Sequence, residues 1–449
     1  MDPRRTGATV ELLQALVRSA CVNDGTAGSG GESRNVDLLE PVVSLPGVDV
    51  ERFEAAPGRV SLVARLEGRD KSAPSLCLMA HTDVVPVDPE GWSRDPFGGE
   101  LVDGEVWGRG AVDMLNLTSS MAVAFAGLAS RGFKPRGDLI YFAVADEESG
   151  SEYGARWMAD HHVDAIRADD VLTETGGLHV GRPESPTLGV MVAEKGVAWR
   201  RVRVRGTPGH GSAPFRSDNA LVKAAAVIQR LAEYKAPPRF HELWRGQVDS
   251  LADGGHIDEE TRVALLDENR IDDALAAMPE SSPARHLHAC SHTTVSPNGT
   301  VGATKTNVIP GVVDLLVDIR TLPGEGASEV EQHLRGALGD LADQVEVTPV
   351  LSNASSISRM DTPLWDSLSR AVGRAFPGAG LRPQLGVGFT DGRIYRELGA
   401  VVYGAGLFSP TINPAEFGRR FHGNDERIDV ESLGLTTQLW GDVVTDLLG

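Results

Sequence analysis

The sequence predicts an α/β fold built as two domains, and three observations carry the prediction. Short apolar runs alternate with helix-like segments through the first half, so that residues 117–130 read as a helix between SLCLMA (75–80) and LIYFAVA (139–145). Three such runs stop directly at chemistry-bearing side chains: His81, the acidic Asp146-Glu147-Glu148, and Glu174 after residues 171–173. Polar residues at the carboxyl ends of buried strands are the usual placement of a site in an open α/β sheet. Finally, 449 residues exceed one ordinary core, so a second domain is expected.

The elements follow in order. Near the start, Val10, Leu12, Leu13, Leu16 and Val17 mark one face of an amphipathic helix rather than the uninterrupted apolar core of a leader. Gly132 stops the 117–130 helix. Around Lys195 the texture changes. Residues 197–205 alternate as a half-buried strand should, GTPGHGSAP (206–214) forms a glycine-rich turn, and 220–233 is helical. From about 237 to 297 the chain is polar and irregular, with His241, His256, His286, His288 and His292 spread through it; this is an elaborated, partly helical insertion. Strand character resumes at 312–320 and 345–350, with a helix at 328–341 between them. From about Asp361 the α/β texture returns and ends in a helix at 430–448. The simplest organisation is a discontinuous larger domain, 1–196 and 352–449, interrupted by a smaller sheet-and-helix domain at 197–351 that carries the insertion.

Bulk composition narrows the function classes. Hydrophobic residues at 41% and charged residues at 24% describe a soluble globular chain. A formal net charge of −20 argues against a nucleic-acid partner, since the only basic run is Arg200, Arg201, Arg203 and Arg205. The last three share one strand face, which reads as solvated. Cys21, Cys77 and Cys290 form neither a disulfide framework nor a metal-type pair, which fits a reducing cytoplasm. No apolar stretch is long enough to span a bilayer, so the expected setting is cytoplasmic, without a membrane partner.

Five residues of metal-ligand type, His81, Asp113, Glu148, Glu174 and His422, follow apolar runs or glycine-rich loops. Two imidazoles and three carboxylates, one of them shared, are the donor set a pair of hydrolytic zinc ions needs. In His81-Thr82-Asp83 the second acid can accept the other ring N–H of the histidine and set its tautomer, although a histidine at a strand end is also a plain polar terminus. The glycines of GRGAVDM can carry Asp113 into a crevice as a bridging carboxylate; its alternative is a helix N-cap. Adjacent residues in extended chain point to opposite sides, so Glu148 can bind metal while Glu147 meets the reacting water as general base, then acid. A solvated acidic loop is the rival reading for this pair. His422 is otherwise a surface-loop histidine; it enters as a fifth ligand because the other four leave a vacancy.

Taken together, MAHTDVVP, WSRDPFGGELVDGEVWGRGAVDM, VADEESGS, TETGG, GTPGHGSAP, TKTNVIPG, VDIRTLPG, GFTDGRIYRELG and FHGNDERI resemble the zinc aminoacylase, carboxypeptidase G and succinyl-diaminopimelate desuccinylase superfamily of metallo-amidohydrolases. They occur in that family's order from about residue 60 to the C-terminus. The resemblance implies a zinc-peptidase-like catalytic domain with a mixed central sheet, interrupted by an α+β lid and dimerisation domain. It implies two Zn2+, with Co2+ or Mn2+ as alternatives: Asp113 bridging, His81 and Glu174 on one ion, Glu148 and His422 on the other. Asp83 would orient His81, and Glu147 would be the catalytic acid and base. His210 and Asn307 match the lid residues that stabilise the oxyanion and position the scissile carbonyl. Arg320 matches an arginine that grips a substrate carboxylate, although pairing with Asp318 would equally account for it. Two departures stand near the cleft. Leu115-Asn116 replaces the family's Lys-Gly, and Gly388-Phe389-Thr390 replaces Gly-Gly-Thr, leaving Thr390 as a further substrate-binding candidate.

The expected function is a dinuclear zinc hydrolase cleaving the amide bond of an N-acyl amino acid or small peptide-like substrate. The alternatives are a carboxypeptidase or dipeptidase, an enzyme processing an amide of a specialised metabolite, and a non-catalytic binding homologue. A homodimer through the lid is the expected assembly.

Overall fold

The apolar runs of the first half assemble with later segments into one ten-stranded mixed sheet. The computed structural model describes residues 1–449 apart from 27, 183–185 and 280–282. Across the sheet run Asp49–Ala56, Arg59–Leu66, Leu139–Val144, Leu76–His81, Asp170–Thr173, Val401–Gly404, Thr187–Glu194 and Ser356–Ile357, with Gly176–His179 and Gly380–Gly386 also paired to Thr187–Glu194. Leu139–Val144, Leu76–His81, Asp170–Thr173 and Val401–Gly404 pair parallel, so their carboxyl ends emerge along one edge.

These central strands are buried on both faces, which is why they read as continuous apolar runs. Side-chain alternation divides them between two clusters: Leu76, Leu78 and Ala80 face one, Cys77 and Met79 the other. The first cluster is covered by helices Pro3–Arg18, Leu115–Ala129 and Val430–Leu448, which pack on one another.

A separate antiparallel sheet has the order Thr294–Gly302, Val312–Thr321, Gly196–Arg205, Val345–Asn353. Helices Ala220–Glu233 and Ala327–Leu338 close one face of it over Val202, Val204, Leu315 and Val317. The other face carries the arginine alternation, and Arg203 pairs with its cross-strand neighbour Asp314 at 2.7 Å. Lys195 alone separates the large-sheet strand Thr187–Glu194 from the small-sheet strand Gly196–Arg205. Its buried ammonium donates to the carbonyls of Ala289 (2.8 Å) and His292 (2.7 Å). Burial pushes its pKa down to about 8.

The insertion was expected to belong with the smaller domain, and its packing differs. Helices Glu242–Asp253, Glu259–Leu265, Ile271–Ala277 and Ala284–Ser291 make up most of it. Their buried Leu243, Trp244, Val248, Leu265 and Leu287 join the apolar cluster of the large sheet, with Glu242–Asp253 against Gly380–Gly386. Each helix has a single apolar stripe to cover, and the small sheet's core is already closed by its own two helices. Residues 280–282 of this insertion lie outside the described residues. Among the described residues no helix is long and apolar enough to cross a membrane.

Candidate metal centre

Parallel pairing brings three of the expected ligands to one edge. His81 ends its strand, Glu174 follows Asp170–Thr173 directly, and Glu148 follows Leu139–Val144 by four residues. Asp113 and His422 arrive on loops. One oxygen of Asp113 lies 3.1 Å from His81 Nε2 and the other 3.2 Å from His422 Nε2, which is also 3.3 Å from Glu148 Oε2. Two triads result, His81–Asp113–Glu174 and Asp113–Glu148–His422, each with donor atoms within 4.8 Å of one another. Asp113 belongs to both, the arrangement a bridging carboxylate requires. Helix Leu115–Ala129 has Met114 at its N-cap with no side-chain cap bond, so Asp113 is not spent as a cap.

The Asp113 loop is tightly determined. Gly110 has φ +89°, and a Cβ there would meet Leu115 Cδ1 at 2.6 Å and Val84 Cγ1 at 2.7 Å. Glu426, fully buried, accepts from the backbone N–H of Gly110 (3.1 Å), Val112 (2.6 Å) and Asp113 (2.9 Å) and from Arg109 Nη1 (2.9 Å). Burial raises its pKa to about 7 against those donors.

His81 is fixed from the other side. Its Nδ1 lies 2.9 Å from the carbonyl of Asp83 and 3.6 Å from that residue's carboxylate. The backbone oxygen of Asp83 is therefore the nearer acceptor, where the carboxylate was expected. The Asp83 carboxylate instead accepts from Asn23 Nδ2 (2.8 Å) and from the backbone N–H of Glu148 (3.2 Å), tying the two ligand strands together.

Glu147 and Glu148 do not lie in extended chain. They occupy a 3-10 turn, Glu147–Ser149, entered through Asp146 at φ 67°. Asp146 is held in that left-handed conformation by Arg59 (2.5 Å), Asn23 (3.0 Å) and the Tyr153 N–H (2.8 Å). The turn sends the two acids to different surroundings. Glu148 reaches His422, whereas the buried Glu147 carboxylate makes no hydrogen bond among the described residues. Burial, then the charge of Glu174, raises the Glu147 pKa well above the usual carboxylate range, and burial with Asp113 does the same to Glu174.

The donor set fits a pair of divalent cations. Three carboxylates and two imidazoles converge with no lysine or arginine among them, and Glu148 Oε1 is buried without a hydrogen-bond partner among the described residues. Burial alone would lower the His81 pKa, yet the Asp113 bond and the charges of Glu174 and Glu147 raise it well above normal. The Asp113 and Glu148 bonds raise His422 to about 10. Acids that raise one another's proton affinity in this way form a cluster that bound divalent cations would suit.

The remaining candidates lie elsewhere. His210 and Asn307 stand together on the smaller domain, where Gly209–His210 pairs with Val308–Ile309 and the Gly211 N–H donates to the Asn307 carbonyl at 2.8 Å. Both are exposed, and no hydrogen bond or ion pair joins either to the five clustered residues among the described residues. Arg320 is paired with Asp318 (2.8 and 3.2 Å) and lies 5.1 Å from the ring centroid of Phe389, whose ring also lies under Arg393 at 4.5 Å. Thr390 is buried, and its N–H and hydroxyl both donate to Glu194 (2.8 and 2.9 Å). Sequence reasoning missed Glu426, Asn23, Arg59 and Asp146. Two of them carried a signal: Glu426, as a second acid beside Asp425 in the His422 loop, and Asp146, as the first acid after the 139–145 run.

Comparison with known proteins supplies independent findings. The profile of Peptidase family M20/M25/M40 matches residues 77–446. The N-fatty-acyl-amino acid synthase/hydrolase PM20D1 of Xenopus tropicalis is 28% identical over 392 residues, 85% of this chain and 74% of that protein. The succinyl-diaminopimelate desuccinylase of Cereibacter sphaeroides is 28% identical over 444 residues, covering 97% and 98% of the two chains. Among solved structures, an M20 family metallo-carboxypeptidase, Sso-CP2 from Sulfolobus solfataricus, superposes with a TM-score of 0.71 at 17% identity, covering 100% of this chain and 99% of that one. At that identity the likeness is one of fold.

Proposed function

Because the chain belongs to Peptidase family M20/M25/M40, whose members are metal-dependent hydrolases, we propose that it hydrolyses the amide bond of an N-acyl amino acid or small peptide-like substrate at a dinuclear zinc centre. The observation that carries this reading is the pair of donor triads sharing Asp113 beside the unbonded carboxylate of Glu147. His81 and Glu174 would hold one ion, Glu148 and His422 the other, with Asp113 common to both; the nitrogen and oxygen donors suit zinc, with cobalt or manganese as alternatives. When bound, such a pair polarises a carbonyl and acidifies water.

The chain's own residues do the rest. Glu147 takes the proton of the attacking water at a carboxylate oxygen and passes it to the departing nitrogen. Its surroundings support the assignment, since burial and neighbouring acids raise its proton affinity and no hydrogen bond among the described residues claims its oxygens. Asp83 positions His81 through its backbone carbonyl and the following turn through its side chain. His210 and Asn307, exposed side by side on the lid, bind the oxyanion and the scissile carbonyl on closure. Residues 1–196 and 352–449 form the catalytic domain and 197–351 the lid, with the helical insertion seated on the catalytic side. A homodimer through the lid is supported by exposed Trp199, Val312 and Leu316 on the open face of its sheet.

Arg320 and Thr390 are spoken for by Asp318 and Glu194, so substrate binding through either requires those bonds to be exchanged. The relatives are named for different acyl groups, succinyl and fatty acyl, and the acyl half is accordingly the variable to test. The experiment is release of free amino groups from a panel of N-acyl amino acids and dipeptides by metal-loaded protein, with Glu147→Ala as control. Turnover should fall about 10²–10⁴-fold in the variant while both metals are retained. A near-normal rate with metals bound would remove Glu147 from the mechanism, and a preference for dipeptides would make the enzyme a peptidase.

A further inference from the structure

The insertion holds a second cluster of metal-ligand type, far in sequence from the acidic centre. Asp272, His288 and His292 each offer a donor atom, and the three atoms lie within 4.8 Å of one another. His288 stands on helix Ala284–Ser291 and His292 caps its C-terminus, one turn on. Their rings are stacked in nearly parallel planes, 5° apart with centroids 4.2 Å apart; because ring lone pairs lie in the ring plane, sharing one ion requires the exposed His288 ring to turn out of the stack. Asp272 comes from the neighbouring helix Ile271–Ala277, its Oδ1 lying 3.4 Å from His292 Nε2.

The hydrogen bonding of His292 decides what that nitrogen is. The His288 carbonyl, 3.1 Å from His292 Nδ1, can only accept, so Nδ1 donates to it, while the one proton of the Ser291 hydroxyl goes to the Leu287 carbonyl at 2.9 Å. The hydroxyl therefore faces His292 Nδ1, 2.9 Å away, as a second acceptor. With Nδ1 carrying the proton, Nε2 presents a lone pair. That nitrogen is buried, on a side chain 1% exposed, and has no hydrogen-bond partner among the described residues. A lone pair aimed at a carboxylate across 3.4 Å is unfavourable unless a cation lies between them. An imidazole whose other N–H is tied to backbone carbonyl is also the usual state of a metal-bound histidine.

We propose that Asp272, His288 and His292 form a third divalent-cation site of the zinc class, with water completing the shell on the exposed side of Asp272 and His288. Two imidazoles and one carboxylate are donors that zinc accepts. The site fastens Ile271–Ala277 to the last turn of Ala284–Ser291, and that turn's carbonyls hold Lys195 between the two sheets. The ion is thus a structural clamp on the anchor of the inter-sheet connection, independent of the hydrolytic centre.

The test is zinc content per chain after equilibration with zinc and removal of free metal, for wild type, His288→Ala and Asp272→Asn. Wild type should hold one zinc more than either variant. Zinc added beyond two equivalents should raise the thermal midpoint of wild type alone. Hydrolysis by both variants should stay within about twofold of wild type. Both altered side chains reach solvent, so the folds should survive; the Asp272→Asn result stands if His288→Ala fails to fold. Equal zinc content in wild type and a folded variant overturns the proposal.

Discussion

Asp170 begins a central strand with its carboxyl almost wholly buried beside Asp169, and burial raises its pKa to about 6. A folded-state pKa above the unfolded value stabilises the protein fully below the unfolded pKa, and that stabilisation is lost as pH rises through the folded one. The penalty therefore develops between about pH 4 and pH 6. Asp170→Asn should be neutral at pH 4 and should stabilise the protein by up to ~3 kcal/mol at pH 7, since a tenfold change in proton affinity corresponds to about 1.4 kcal/mol. Urea midpoints at the two pH values measure it; an equal gain at both would mean that the charge is not the cause. The same scale shows what single residues disclose. His81, Glu148 and Glu174 are legible because each follows an apolar run that has to be a buried strand. Arg59 and Asn23 are isolated polar residues whose partners lie up to 126 positions away, and no periodicity marks them; Asp146 shows in the sequence only as the first of three acids.

At the scale of the element, the loop carrying Asp113 is shaped by one acid more than 300 residues distant. Glu426 gathers three backbone N–H groups and Arg109, so its loss leaves four buried donors facing nothing. Glu426→Ala should weaken metal binding about 10–100-fold, as loss of a group that orients ligands does. Competition against a chelating dye reads this, and unchanged affinity would mean that the loop holds its shape without the acid. The strand and helix pattern was largely readable, including the change of texture at Lys195 and the helices at 220–233 and 430–448. Two local features were not. The Glu147-Glu148 pair sits in a turn rather than extended chain, because Asp146 is forced left-handed by contacts the sequence does not display. The insertion packs on the large sheet because an apolar helical stripe indicates that it needs covering, but not by which surface.

For the whole molecule, the centre is a concentration of like charge that folding has to tolerate. His81, Glu147, Glu148 and Glu174 all have raised proton affinity, as does His422 at about 10. Each stabilises the metal-free protein below its unfolded pKa and ceases to as pH rises through its folded value, so metal-free stability should fall with pH from about 4.5 upward. Metal binding runs the other way, because its ligands must first lose protons. Removing metal with a chelator should therefore lower the thermal midpoint far more at about pH 8 than at about pH 5.5. Calorimetric scans at both values test it, and a pH-independent loss would mean that the acids are not what the cations neutralise.

The order of the strands also sets a timetable for the newborn chain. Val401–Gly404 sits between Asp170–Thr173 and Thr187–Glu194, yet it is made roughly 230 residues after the first of them, a wait on the order of ten seconds or more at ribosomal speed. The small antiparallel sheet has all its strands between 196 and 353 and is complete before then. During synthesis the unfinished large sheet carries an open edge at Asp170–Thr173, inviting wrong pairing. Production of this protein will accordingly be limited by how well that edge is shielded while the last quarter of the chain is made.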